Sequence, residues 1–314
     1  KLFSLKKKQL GLLISTTFNN DYIFEPDALN SILKRDGTNQ KYYVRESYQY
    51  ITSFSNLLTL SYKSSAYNSL SYNLIYLVSG LDEYDEAKGR NYDGEILHYN
   101  SGFYESHQLF NNQLSGKHKL TEKTGLKWAA GYAVAKSDVP DVRIIALIDY
   151  DNDGDSWNYY RRNAQETKRM FMELSENEFT GKANIEIKFN NNSQLIFGTQ
   201  GRYKIRNFDA FFYYYNIDGI TDISTTPVDA PLLINDQNFS EGGIKINNGS
   251  AYQNKYDAYL FIIAGFVNYI RTYSDKFTID IGLRSEWANM KVDGRYSGGF
   301  IRENALKSKE WFKS

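Results

Sequence analysis

The stretch DYDNDGD, from Asp149 to Asp155, carries carboxylates at the spacing of a calcium-binding loop. Asp149, Asp151 and Asp153 match the first three ligand positions of an EF-hand loop. Gly154 matches the glycine at the sharp turn of that loop. The twelfth position is Tyr160, where an EF-hand has a glutamate that binds calcium through both oxygens. The loop is thus a candidate calcium site, and a solvated acidic loop is the alternative. Its candidate ligands are Asp149, Asp151, Asp153 and Asp155.

Charged residues also recur at every second position inside apolar stretches. In FTIDIGLRSEW, from Phe277 to Trp287, the charges alternate with large apolar side chains. Alternate side chains of an extended chain point to opposite faces, so the charges share one face. Such a face can bind a ligand in a water-filled interior, or its charges can form structural ion pairs, for example Arg284 with Glu286. The candidates on faces of this kind are Glu186, Lys188, Arg202, Lys204, Asp280, Arg284 and Glu286.

Other chemistry has little support in the sequence. His98, His107 and His118 are dispersed, so no histidine site for a metal or haem is predicted. There is no nucleophilic triad, phosphate-binding glycine loop or pair of catalytic acids, so we expect no enzymatic activity and no cofactor besides calcium in the aspartate loop. The chain has 37 Lys plus Arg and 37 Asp plus Glu, so nucleic acid is not an expected partner.

The elements that must position these residues are β-strands, because alternation is the dominant period of the chain. No run approaches the roughly 18 apolar residues of a membrane-spanning helix, which excludes a helical membrane protein. The absence of cysteine removes any disulfide framework. The alternation predicts nine strands at residues 9–22, 42–63, 69–80, 96–120, 125–150, 169–189, 194–216, 251–271 and 276–293.

The predicted links between these strands alternate in length. Short links are predicted at 64–68, 121–123, 190–193 and 272–275, and the long ones include 82–93, 151–168 and 217–249. Short turns at one rim and long loops at the other are typical of an antiparallel up-and-down transmembrane β-barrel in an outer membrane. A lysine or arginine facing lipid is costly, so the charged faces should line a wet lumen. A soluble β-sandwich with one solvated face is the alternative.

Two segments carry a family resemblance. LFNNQLSGKHKLTEKTGLKWAAGYAVAKSDVPDVR, from Leu109 to Arg143, and AGFVNYIRTYSDKFTIDIGLRSE, from Ala264 to Glu286, resemble the barrel of TonB-dependent outer-membrane receptors, particularly those of Bacteroidetes. The resemblance implies that residues 1–314 are part of a transmembrane barrel of 22 strands, whose plug domain is not present in this chain. It also implies a location in the outer membrane of a Gram-negative bacterium.

The resemblance further implies active import of a scarce, bulky ligand, such as a siderophore, haem, oligosaccharide or peptide. The implied partners are outer-membrane lipid, TonB acting through the plug domain, the imported ligand and, as a further candidate, a surface lipoprotein. Three alternatives stay open at this point: a passive porin, a surface-exposed adhesion or binding barrel, and a soluble carbohydrate-binding β protein.

Overall fold

The computed structural model describes residues 2–5, 8–161, 167–220, 223–250, 254–274 and 277–294. Within these residues, none of the helices is long and apolar enough to cross a membrane. The helices are α1 (Ala230–Leu233) and α2 (Asp236–Ser240). The strands are β1 (Leu2–Leu5), β2 (Lys8–Leu33), β3 (Asn39–Lys63), β4 (Ser69–Arg90), β5 (Ile96–Lys119), β6 (Thr124–Asp149), β7 (Asn158–Tyr159), β8 (Lys168–Asn190), β9 (Ser193–Asn216), β10 (Lys245–Asn248), β11 (Lys255–Ser274) and β12 (Phe277–Gly294).

All these strands belong to one antiparallel, up-and-down sheet. Its order is β1-β2-β3-β4-β5-β6-β8-β9-β11-β12, with the short β7 added to β6 and the short β10 added to β9. The all-β fold and the nine long strands predicted from the sequence are confirmed. The predicted strand starts at residues 251 and 276, and Asp275 of the last short link, lie outside the described residues.

Several strands extend beyond their predicted ends. Strand β2 continues to Leu33 and β4 to Arg90, where Arg90 pairs with Tyr42 of β3. The long link predicted at residues 82–93 is therefore wrong, because only a tight turn at 91–95 joins β4 to β5. Hydrophobic alternation fades in this region, but the ladder of backbone hydrogen bonds continues without it.

The strand register joins the apolar sides of all nine long strands into one surface. Tyr269 of β11, for example, lies opposite Leu195 of β9 and Ile281 of β12. Many of these side chains are exposed, and Ile281 and Leu283 reach 65% and 73% exposure. We call this surface the apolar belt. It comprises alternate residues within 10–18, 54–62, 70–78, 110–116, 126–134, 179–187, 195–205, 259–269 and 279–287.

Residues 150–161, 217–220 and 223–250 pack together at the end of the sheet that carries the long links. We call them the cap. Their contact is fixed by a β-bridge between Trp157 and Thr225 and by a hydrogen bond from the Tyr159 hydroxyl to the Ala230 carbonyl. Burial raises the pKa of Tyr159, so its hydroxyl keeps the proton that it donates. The cap core comprises Ile145, Leu147, Trp157, Tyr159, Tyr215, Ile217, Ile220, Ala230 and Ile244.

Candidate functional site

The seven charged residues predicted from the sequence all lie on the face of the sheet opposite the apolar belt, which we call the polar face. Each of them lies an odd number of positions from a belt residue on its own strand, so its side chain points to the other face of the sheet. They are Glu186 and Lys188 of β8, Arg202 and Lys204 of β9, and Asp280, Arg284 and Glu286 of β12.

A ladder of ion pairs crosses from β8 to β9 on the polar face. The Lys204 ammonium lies 2.7 Å from a Glu176 carboxylate oxygen and 3.0 Å from one of Glu178. Arg206 donates from Nε to Glu176 at 2.7 Å, and Arg202 lies 3.4 Å from Glu178. Opposite charges on facing strands stabilise the register, so these five residues form one connected network, which we call the charge ladder.

A second charged group lies on the polar face of β2, β3 and β4. The Arg45 guanidinium lies 3.2 Å from Asp85, 3.4 Å from Glu25 and 3.9 Å from Glu83. Gln49 donates a hydrogen bond of 2.9 Å to Glu83. Three carboxylates surround one cation here, whereas three cations meet two carboxylates in the charge ladder. The Arg45 group is therefore acidic overall, and the charge ladder is basic overall.

The structure joins some predicted candidates into ion pairs. Arg284 contacts Glu286 at 2.6 Å. Glu186 lies 3.4 Å from Lys127 of the neighbouring strand β6 and 3.9 Å from Lys188. Sequence reasoning did not select Glu176, Glu178 or Lys127, because cross-strand partners become visible only once the register is known.

A depression of about 360 Å³ on the polar face is lined by side chains from five neighbouring strands. They include Leu57, Ile75, Asn111, Ala133 and Glu178. The depression therefore spans five strands on the face that carries the charged residues, opposite the apolar belt.

The aspartate loop is organised by backbone hydrogen bonds. Asp149 is buried and accepts the N–H groups of Asn152 and Gly154 at 2.7 and 2.9 Å. Asp153 accepts the N–H of Asp155 at 2.8 Å. Among the described residues, no three His, Asp or Glu side chains are grouped as a metal site would require. Calcium binding by this loop stays a prediction from the sequence.

The three histidines have different surroundings. His98 is buried, hydrogen-bonds Asn100 at 2.8 Å and meets the Trp157 ring edge-on. Burial lowers the pKa of His98, which therefore stays neutral near pH 7. His107 lies 3.1 Å from Glu105, and His118 stacks on Trp128 with ring centroids 6.4 Å apart.

Comparison with known proteins identifies no close relative. No family model matches the sequence, and neither does any curated protein. Among solved structures, the siderophore receptor PiuA from Acinetobacter baumannii aligns with a TM-score of 0.37 and 9% sequence identity. The alignment covers 96% of this chain but 45% of that receptor, so this chain spans less than half of the receptor's length. At such values the alignment shows neither a shared family nor a shared function.

Proposed function

We propose that this chain is part of an outer-membrane β-barrel that imports a scarce, bulky ligand into a Gram-negative bacterium. The observation that carries the proposal is the apolar belt, which crosses all nine long strands on one face of the sheet. No described residue outside the sheet covers residues such as Ile281 and Leu283, which stay largely exposed. A surface of this extent requires an apolar environment, and lipid acyl chains supply it.

The height of the belt fits a membrane. Residues 195–205 of β9 rise about 33 Å along the strand at about 3.3 Å per residue, and a tilt of about 40° reduces this to about 25 Å. That value matches the apolar band of about 25 Å that outer-membrane barrels show. The polar face would then line a wet lumen, where the charge ladder and the Arg45 group contact the ligand or a plug.

The edges of the sheet support a larger barrel. In the described residues, β1 pairs only with Lys8–Gly11 of β2, and β12 has a partner on one side alone. Unpaired backbone groups facing lipid cost several kcal/mol each, so further strands are needed to close the sheet. We propose that the same protein supplies them, in a 22-stranded barrel with a TonB-coupled plug of the Bacteroidetes type. A siderophore, haem, oligosaccharide or peptide is the proposed cargo.

Liposome swelling with the full-length protein distinguishes import from passive diffusion. We expect no swelling in a small neutral sugar, because a plugged lumen blocks free diffusion. Liposomes that carry an open porin of known size are the control for swelling. Rapid swelling with the full-length protein would contradict active import and favour a passive porin on the same barrel.

Single cysteines test the orientation, since the chain contains none. Asp236 in the cap and Asn191 in the β8–β9 turn are both exposed and lie at opposite ends of the sheet. An impermeant thiol reagent should label Asp236→Cys on intact cells and leave Asn191→Cys unlabelled, because long loops of outer-membrane barrels are extracellular. Both variants should react once the cells are permeabilised. The reverse pattern on intact cells would show that the short turns face outward.

A further inference from the structure

Exposed aromatic side chains form ordered rows just beyond the apolar belt, on the same face of the sheet. Tyr22 and Phe24 of β2 are 78% and 53% exposed, and Tyr48 and Tyr84 are 46% and 41% exposed. The ring of Phe24 contacts that of Tyr48, with centroids 4.8 Å apart. The ring of Tyr22 contacts that of a fifth aromatic residue, Tyr50, with centroids 4.7 Å apart. We call these five residues the aromatic patch. It begins four residues beyond Phe18 of the belt, about 13 Å along the strand.

Carboxylates border the aromatic patch. The Tyr48 hydroxyl donates to Glu46 at 3.1 Å, and the Tyr84 hydroxyl donates to Glu86 at the same distance. Each carboxylate keeps a second oxygen that can accept a hydrogen bond. Asp82 lies opposite Tyr50 on the same face and adds a third carboxylate. The patch therefore combines flat apolar rings with hydrogen-bond acceptors.

A cavity of about 500 Å³ continues from the patch toward the cap. Glu46 and Glu86 line it, together with Tyr42, Ile96 and His98. Two cations also line the cavity, but both have other contacts. Arg90 donates to the Gly94 carbonyl at 2.7 Å, and the Lys88 ammonium lies over the Trp157 ring at 5.1 Å from its centroid.

We propose that the aromatic patch and this cavity bind neutral sugars of the outer-leaflet glycolipid. The inference rests on the proposed membrane location, which places the patch directly above the acyl chains. Aromatic rings pack against the C–H faces of a sugar ring, and carboxylates accept bonds from its hydroxyls. Three carboxylates at the patch repel a phosphate and favour a neutral sugar there. Carboxylates would also be costly among acyl chains, so the patch does not extend the belt.

The test uses the full-length protein in vesicles that contain glycolipid with its neutral sugars, or the same glycolipid with those sugars removed. Tyr48→Ala combined with Tyr84→Ala should weaken binding of the sugar-bearing glycolipid by about tenfold or more, a loss typical of exposed aromatic anchors. Glu46→Gln combined with Glu86→Gln keeps the side-chain size and should also weaken binding. Tyr67→Ala is the matched control, because Tyr67 is exposed at the opposite end of the sheet and should leave affinity unchanged.

Equal affinity of wild type and the double tyrosine variant would overturn the inference, and so would equal binding of the stripped glycolipid. A preference for the free oligosaccharide over the glycolipid would also overturn it, since the site would then belong to a soluble ligand. Folding of every variant is checked by the heat-dependent gel mobility that a folded barrel shows. If the barrel is folded and inserted but sugar binding does not change, only this inference fails. If wild type does not insert, the proposed function fails as well.

Discussion

Ala130→Arg should destabilise the folded protein in lipid by about 2 to 4 kcal/mol, whereas Ala133→Arg should cost far less. Both residues are alanines of β6, three positions apart, so the two variants add the same side chain to the same strand. Only the face differs. Ala130 is exposed at the centre of the apolar belt, opposite Leu114 and Gly181, with no carboxylate beside it on either neighbouring strand.

Ala133 has the opposite surroundings. It lines the depression on the polar face and lies directly opposite Glu178 of β8. An arginine there can pair with that carboxylate and stay hydrated. Urea titration of the full-length protein refolded into lipid vesicles measures both free energies of unfolding. Equal losses for the two variants would show that the faces are not lipid and water, and would favour a soluble sandwich.

Tyr159→Ala should open the cap while leaving the sheet intact. Tyr159 is completely buried, and its ring packs in the cap core. Removal of a buried aromatic side chain typically costs about 3 to 5 kcal/mol, and here that loss falls on the core that holds the two links together. Limited proteolysis of intact outer membranes should therefore cut residues 150–161 and 217–250 much faster than in wild type.

Tyr159→Phe is the matched control for the cap variant. It keeps the ring and removes only the hydrogen bond to the Ala230 carbonyl, which should cost about 1 to 3 kcal/mol. The protease should then cleave the cap of Tyr159→Phe at a rate between those of wild type and Tyr159→Ala. A cap that resists protease equally in all three proteins would contradict its dependence on this core.

The two faces of the long strands could be predicted from the sequence because apolar and polar residues alternate along them. Ile281 and Asp280, for example, reveal opposite faces without any knowledge of their neighbours. The upper parts of β2 and β4 could not be predicted in this way. Both of their faces carry polar residues, so only the backbone pairing to β3 shows that they are strands.

The partners of the charged residues and the cap were also beyond the sequence. Glu178 and Lys204 are 26 positions apart in the chain, and only the register of β8 and β9 brings them into contact. Residues 217–250 have no sustained period, and their structure depends on contacts with Trp157 and Tyr159 from another link. Tertiary packing of this kind leaves no local signal.

The central claim is that the apolar belt faces lipid, and brominated lipids test it most directly. Trp287 lies in the belt and is 48% exposed, whereas Trp157 is 2% exposed in the cap. Two full-length variants are made, each retaining one of these residues as its only tryptophan, with phenylalanine at the other positions. Bromine atoms on the acyl chains should strongly quench the fluorescence of Trp287 and leave that of Trp157 nearly unchanged. Weak and equal quenching of both residues in the folded protein would contradict the membrane assignment.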